Sequence, residues 1–340
     1  MKAIAITRKL PLDDPACFED LDLPVPTPGP RDLLVRVHAI ALNPIDTKVR
    51  MRRAPEATKP GILGWDAAGV VEAVGEEVTR FAPGDEVYYA GDITRDGCNA
   101  QYQCVDERIV AHKPHSLDHP QAAALPLTTI TAWEGLFDRM GFSADHPKLN
   151  EGKSILIIGG AGGVGSMAIQ LASRIAGLTV IATASRENSA AWCREMGAHH
   201  VINHQQPLFA QLKEIGVGEV DAIYNCADVD LYWKAMAEAI RPQGKICAIV
   251  DNREPLNLAL LKPKCASFHW EFMFARPMYQ TADMEEQHRL LARVATLIDA
   301  KVLSTTHRET LGPLTVATLR EAHQRQESGT SIGKLALVVE

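Results

Sequence analysis

The run Ile155-Leu-Ile-Ile-Gly-Gly-Ala-Gly-Gly-Val-Gly-Ser166 sets four apolar residues in front of five glycines within seven positions. Gly160, Gly162 and Gly165 give the spacing G-x-G-x-x-G, between a buried-strand pattern and a helical one. Beyond the loop, Val164, Met167, Ala168, Leu171 and Ile175 fall on one helical face. In a strand–turn–helix frame each glycine has a physical reason. The first permits the tight turn, the second lets backbone N–H groups approach a pyrophosphate, and the third allows close helix–strand packing. The helix N-terminus adds positive potential. A Walker phosphate loop is excluded, because no Lys-Ser/Thr pair follows the last glycine. The loop implies a dinucleotide held by Gly160, Gly162, Gly163, Val164 and Gly165.

From about Leu127 the chain alternates between strand and helix patterns. Strands are expected at 154–158, 179–183, 200–203, 221–225 and 245–250, with helices at 187–197, 206–215 and 229–241 between them. Such alternation predicts a parallel sheet covered on both faces. Ligands of such sheets lie beyond the carboxyl ends of the strands, which nominates Asn225, Cys226, Ile249 and Val250 as cofactor contacts. An NAD-selective chain usually ends its second strand on Asp or Glu, to bond the ribose 2′-hydroxyl. Here that point reads Ile181-Ala-Thr-Ala-Ser-Arg186, with no acid. Ser185 and Arg186 can donate to a 2′-phosphate instead, and one charge-assisted hydrogen bond contributes roughly 1.5–3 kcal/mol. The reading is NADPH, although Ser185 could also cap the next helix, with Arg186 merely solvated.

Residues 1–125 read as strands and turns, a compact and partly closed β domain. Val35, Val37, Ala39 and Ala41 alternate, 64–74 is a second strand-rich run, and Pro-Gly pairs stand at 28–29, 60–61 and 83–84. At the far end, an amphipathic stretch at 282–301 precedes short strand patterns at 305–307 and 335–339. A length of 340 residues suits two domains. A net charge of −7 without a basic block disfavours nucleic acid as a partner. Seven scattered cysteines, with no apolar leader at the N-terminus, suggest a reducing, cytoplasmic location. The uncharged stretch 154–173 has membrane-span length, but its five glycines, Ser166 and Gln170 make it too weakly apolar.

The pattern Gly64-Trp65-Asp66, Gly69, Gly75 and Val78 matches the spacing of the alcohol dehydrogenase signature G-H-E-x2-G-x5-G-x2-V. With Pro83-Gly84-Asp85 and the glycine loop, the chain resembles the medium-chain dehydrogenase/reductase superfamily over nearly its whole length. That resemblance implies an α/β protein of two domains. One is a GroES-like β-barrel domain from 1–126 and 277–340, the other a Rossmann doubly wound parallel-sheet domain from 127–276. In zinc members the histidine and glutamate of the signature lie at the catalytic metal. Trp65 replaces that histidine, and an indole cannot ligate zinc. The early ligand cysteine is missing from Leu42-Asn-Pro-Ile-Asp-Thr-Lys48, and no four-cysteine lobe exists. His112, His115 and His119 have ligand-like spacing, but Pro114 and Pro120 interrupt it, so no metal is expected.

Asn43-Pro44-Ile45-Asp46-Thr47 and Ala123-Ala-Leu-Pro-Leu-Thr-Thr129 resemble the zinc-free quinone oxidoreductase branch. "NPIDTKVR", "YYAGDITR" and "GKL" resemble the zinc-type alcohol dehydrogenase-like group. Without a Lewis acid, hydride transfer from NADPH to a quinone or an α,β-unsaturated carbonyl is the expected chemistry, since the acceptor delocalises its own charge. A zinc alcohol dehydrogenase with atypical ligands and a non-catalytic NADPH-binding protein are the alternatives. Asn43, Lys48, Tyr89 and Thr128 are the candidate catalytic donors. Thr128 is implied by a threonine near the nicotinamide in relatives, and Lys48 stands where quinone reductases often carry tyrosine. Lys334, in Gly333-Lys334, is a candidate cofactor contact, whereas His204 has no assigned role. Trp65 is expected to wall the cleft, and 91–97 to form a flexible loop. Residues 267–274 resemble an edge strand needing cover, which with the family's habit implies a homodimer.

Overall fold

The computed structural model describes residues 1–52 and 59–340, and the chain forms two compact units, Met1–Leu127 with Phe274–Glu340, and Thr128–Met273. The second unit holds a six-stranded parallel sheet. Its spatial order is His200–Ile202, Thr179–Thr183, Ser154–Ile158, Val220–Asn225, Ile240–Ala248, Ser267–Trp270. In chain order this is 3-2-1-4-5-6, the doubly wound topology, whose switch point lies between Ser154–Ile158 and Val220–Asn225. The run Ser154–Ile158 is buried at every residue, as a strand covered on both faces must be. Leu156, Ile158, Ile181, Ile223 and Ile246 join Trp233 and Met236 in one core cluster. Each such aliphatic side chain contributes about 1.5–3 kcal/mol on full burial. The helices Gly163–Gln170, Glu187–Met196, Leu208–Glu214 and Val229–Ala239 cover the sheet. Gly197, at φ 112°, ends the second of these in the left-handed conformation.

The last expected strand of this sheet, 245–250, instead starts at Ile240 and stops at Ala248. The segment 267–274 forms a strand only over Ser267–Trp270, and there it is an edge. Helix Pro126–Trp133 runs on into a π-helical turn, Glu134–Arg139, that lies against Tyr224. A Cβ on Gly135 would stand 2.4 Å from the Tyr224 hydroxyl oxygen, and Tyr224 is fully buried. Gly135→Ala should therefore lower stability by about 1–3 kcal/mol. Urea unfolding of that variant checks this, and an unchanged midpoint would contradict it.

In the first unit, strand Asp32–Ala41 organises a seven-stranded sheet. It pairs antiparallel with Ala67–Val74 along most of its length, with Tyr102–Asp106 over its first half and with Lys334–Val338 at its end. Register shifts at Leu34/Val35 and Val37/Ala39 let it bend between these partners. Glu86–Tyr89, Val110–His112 and His307–Pro313 complete this sheet, and a three-stranded sheet contains Glu19–Asp22, Lys2–Ile6 and Gly61–Ile62. The C-terminal amphipathic pattern becomes helix Glu286–Asp299, which buries Leu290, Leu291, Val294 and Ile298. The short strand expected at 305–307 is instead His307–Pro313, because the Thr305 and Thr306 hydroxyls donate to the Gln121 and Ala124 carbonyls.

The expected flexible loop at 91–97 is pinned down. Gly97 N–H donates to Ile62 O at 2.9 Å, and Arg95 makes a bidentate pair with Asp32 at 2.8 Å for each bond. Among the described residues, no helix is long and apolar enough to cross a membrane.

Candidate functional site

The glycine loop leaves strand Ser154–Ile158 through Gly159 at φ 81°, a conformation that disfavours side chains. Thr183 secures the turn from the neighbouring strand: its Oγ1 accepts Gly159 N–H at 3.0 Å and its carbonyl accepts Gly160 N–H at 3.2 Å. Sequence reasoning missed Thr183, because its partners lie on another strand. The glycines are not equivalent. A Cβ on Gly165 would lie 2.3 Å from Gly159 O, and one on Gly160 2.8 Å from the Ala182 Cβ, so both serve packing. A Cβ on Gly162 would meet nothing closer than Gly159 O at 3.6 Å. Gly162 is the N-cap of helix Gly163–Gln170, whose first-turn N–H groups lack intrahelical acceptors. Gly163 and Val164, partly exposed, open that helix. The result is an open, donor-lined cradle of the kind a pyrophosphate fills.

At the end of the second strand, Ser185 is half-buried and Arg186 exposed. Ser185 is not the cap of the next helix. That position belongs to Arg186, whose N–H donates to Ser189 Oγ at 3.2 Å while that hydroxyl donates to Arg186 O. His204 is near enough to Arg186 for the guanidinium to add to burial in lowering its pKa, and its Nδ1 is buried without a partner. Asn225, Cys226, Ile249 and Val250 fall at the carboxyl ends of the central strands. Asn225 is fully buried, its Oδ1 accepting Ala227 N–H at 2.9 Å, and its carbonyl accepts Ile249 N–H at 3.3 Å. Cys226, Ile249 and Val250 are half-buried, and burial pushes the Cys226 thiol far up, which makes it a neutral contact.

The other candidates lie in the first unit, around a buried ion cluster. Lys334 is 2% exposed, and its ammonium donates to Leu42 O at 2.6 Å, Asn43 Oδ1 at 2.5 Å and Asp66 Oδ2 at 2.9 Å. An ammonium has three donors, and all three meet protein acceptors here. Asn43 is equally committed: its Nδ2 donates to Asp66 Oδ2 at 2.9 Å, with a longer contact to Ala41 O, and its N–H donates to Asp46 Oδ2 at 2.7 Å. It orients the cluster rather than offering a free donor. Burial raises the Asp66 carboxyl, while Lys334, Asn43 and the Leu127 N–H at 2.8 Å oppose that and serve its ionised form. Asp46 is different. Burial pushes it up to about 7 against the Asn43 N–H and the Lys334 charge, and its Oδ1 meets no partner.

Tyr89 is 1% exposed and its hydroxyl is buried with no partner among the described residues. Trp65 is 1% exposed, with Nε1 donating to Asp92 O at 3.1 Å and its ring edge-on to Phe274, and packs in the interior. Lys48 is half-buried on helix Pro44–Arg52 and forms no hydrogen bond or ion pair among the described residues. Thr128 is buried on helix Pro126–Trp133.

Two family models match the chain: the alcohol dehydrogenase GroES-like domain over residues 29–115 and the zinc-binding dehydrogenase over residues 163–282. A zinc-type alcohol dehydrogenase-like protein of Staphylococcus aureus is 45% identical over 337 residues, covering 99% of each chain. The chain belongs to the medium-chain dehydrogenase/reductase superfamily. Its two units are the GroES-like and Rossmann-like folds of that superfamily, and it is an oxidoreductase. A crystal structure of a Rhizobium etli protein, whose name suggests a zinc-dependent alcohol dehydrogenase, superposes with a TM-score of 0.95. It is 46% identical and covers 99% of this chain and 98% of its own. A chloroplastic quinone oxidoreductase of Triphysaria versicolor is 31% identical over 255 residues, 74% of this chain and 76% of its own.

Zinc in this superfamily needs three or four N, S or O ligands, and the residues here do not fit it. Trp65 spends its only polar atom on Asp92, Asp66 is neutralised by an ammonium, and burial holds the Cys98 thiol protonated. Among the described residues no three His, Cys, Asp or Glu side chains are grouped to hold a metal. The three spaced histidines face different partners: His112 packs on Phe81, His119 on His38, and the His115 N–H donates to Asp299.

Proposed function

We propose that this oxidoreductase uses NADPH, without a metal, to reduce a quinone or an α,β-unsaturated carbonyl. The observation that carries the reading is the Lys334 ammonium bonded to Asp66, a fixed cation where a metal-dependent site would need an open one. A reduced nicotinamide, when bound, supplies a hydride. The cradle at Gly162, with Gly160, Gly163, Val164 and Gly165, holds the pyrophosphate, and Arg186 with Ser185 binds the 2′-phosphate. Asn225, Cys226, Ile249 and Val250 flank the remaining nucleotide. Thr128 is the hydroxyl proposed beside the nicotinamide. A conjugated acceptor needs little from the protein beyond positioning and a donor for the oxygen that gains charge. Lys48, the half-buried cation without a partner among the described residues, is that donor. The 31% identical quinone oxidoreductase supports the substrate class.

Lys48→Met should lower the rate of acceptor reduction by roughly 100-fold, the size expected for one oxyanion donor. Lys48→Arg should retain part of it. Stopped-flow oxidation of bound NADPH against quinones, enones and aldehydes tests the whole reading. Fast oxidation by the first two classes is the expected result. Tight NADPH binding with silence across the panel would instead favour a binding role.

We also infer a homodimer joined through strand Ser267–Trp270, an open sheet edge bordered by Trp270 and Phe272, 44% and 42% exposed. Light scattering should give twice the chain mass, and a monomer would refute the pairing. Seven free thiols fit a cytoplasmic location.

A further inference from the structure

The turn into helix Gly163–Gln170 is held from behind by a chain of hydrogen bonds that begins on another helix. Ser166 is fully buried in the first turn of Gly163–Gln170, and Trp192, 5% exposed, lies on helix Glu187–Met196. The Trp192 Nε1–H donates to Ser166 Oγ at 2.8 Å. That hydroxyl donates in turn to Gly162 O at 2.7 Å, with a longer contact to Ala161 O at 3.4 Å. Chemistry sets the direction of the chain. An indole nitrogen only donates, and a serine hydroxyl has one proton, so the Ser166 proton is left for a carbonyl.

Gly162 O also accepts the Ser166 N–H at 2.8 Å, so two donors of one residue hold it. A trans peptide carries its C=O and its N–H on opposite sides. With Gly162 O turned back toward Ser166, the Gly163 N–H of the same peptide points the other way, out of the helix end and into the cradle. A serine bonded to the carbonyl four residues earlier is common in helices. What distinguishes Ser166 is the indole donor, which comes from outside its helix and fixes the hydroxyl.

The helix that supplies the indole starts at the other end of the expected nucleotide. Arg186 is its N-cap, with its N–H and its carbonyl both bonded to Ser189 Oγ, and Trp192 stands in its second turn. The bridge therefore joins the glycine turn to the helix whose head carries Arg186, all within the unit Thr128–Met273.

We propose that Trp192 is a positioning residue for the dinucleotide. Through Ser166 it orients the Gly162–Gly163 peptide, and it keeps the pyrophosphate cradle in register with the 2′-phosphate end at Arg186. This rests on the dinucleotide reading given above. A donor aimed in advance needs no reordering when the phosphate arrives, and such preorganisation adds affinity. Its action runs through Ser166, so its removal should change nucleotide affinity and leave the chemical step alone.

The test compares the wild type, Trp192→Phe, Ser166→Ala and the double variant. It measures NADPH and NADH affinity, kcat with a saturating quinone, thermal melting, and amide exchange at Ser166 in the ligand-free protein. Trp192→Phe keeps an aromatic ring and removes the donor. Its Kd for NADPH should rise roughly five- to tenfold, the worth of one hydrogen bond, with kcat unchanged. NADH, which lacks the 2′-phosphate, should lose less. The double variant should bind NADPH no worse than the weaker single variant, because both changes cut one chain. Unaltered NADPH affinity in Trp192→Phe, equal losses for NADPH and NADH, or additive losses in the double variant would each overturn the proposal. A packing role alone would lower the melting temperatures and leave the affinities where they were. If the wild type binds neither nucleotide, the dinucleotide reading fails on its own, and exchange at the Ser166 amide decides whether the bridge orders the turn. A rate roughly tenfold faster in Trp192→Phe upholds the bridge, and an unchanged rate overturns it.

Discussion

Gly162→Ala is expected to weaken NADPH binding by about 100-fold or more while leaving the protein folded. A hundredfold corresponds to about 2.7 kcal/mol, the value of one or two charge-assisted hydrogen bonds at roughly 1.5–3 kcal/mol each. The methyl group occupies the opening that a pyrophosphate must enter to reach the helix N–H groups. It meets no protein atom closer than 3.6 Å. As an N-cap change from glycine to alanine, it should cost about 1 kcal/mol or less in stability. Gly165→Ala is the contrasting variant, since its Cβ would lie 2.3 Å from Gly159 O and 2.8 Å from Gly160 Cα. That change should damage folding as well as binding. Fluorescence titration with NADPH and thermal melting on both variants separates the effects. Unaltered affinity in Gly162→Ala would mean that the loop holds no phosphate.

Lys334→Met is expected to destabilise the first unit by about 3–5 kcal/mol, the usual consequence of removing one partner of a buried ion pair. Asp66 is 0% exposed and would keep the Asn43 and Leu127 hydrogen bonds without a countercharge. The carboxyl would then take up a proton, so the variant should regain stability as pH is lowered. Lys334→Met/Asp66→Asn should be more stable than the single variant, because the uncompensated charge is gone. Urea unfolding of the wild type, both single variants and the double variant measures the coupling. Additive effects would show that the pair contributes nothing.

The Rossmann unit could be read from the sequence because its signals are local. A buried apolar run, a glycine turn and a helical face stand within one short stretch, and the alternation gives the order of strands and helices, though not the bounds of Ile240–Ala248. The first unit was less legible. Asn43 looked like a free donor because its partner Lys334 is 291 residues away and Asp66, also bonded to Lys334, is 268 residues from it. Nothing in the local pattern announces such a meeting. Tyr89 was ambiguous for another reason: adjacent residues of a strand point to opposite faces, and this sheet buries both. Tyr88 and Tyr89 are consequently both hidden, although only Tyr88 finds an acceptor, the Leu291 carbonyl at 2.7 Å.

The most direct test is quinone-dependent NADPH oxidation by purified protein whose metal content is measured on the same sample. Undiminished turnover by protein holding far less than one metal ion per chain is the expected result. Turnover that disappears on chelation and returns in proportion to added zinc would contradict a hydride transfer supported only by the chain's own cations.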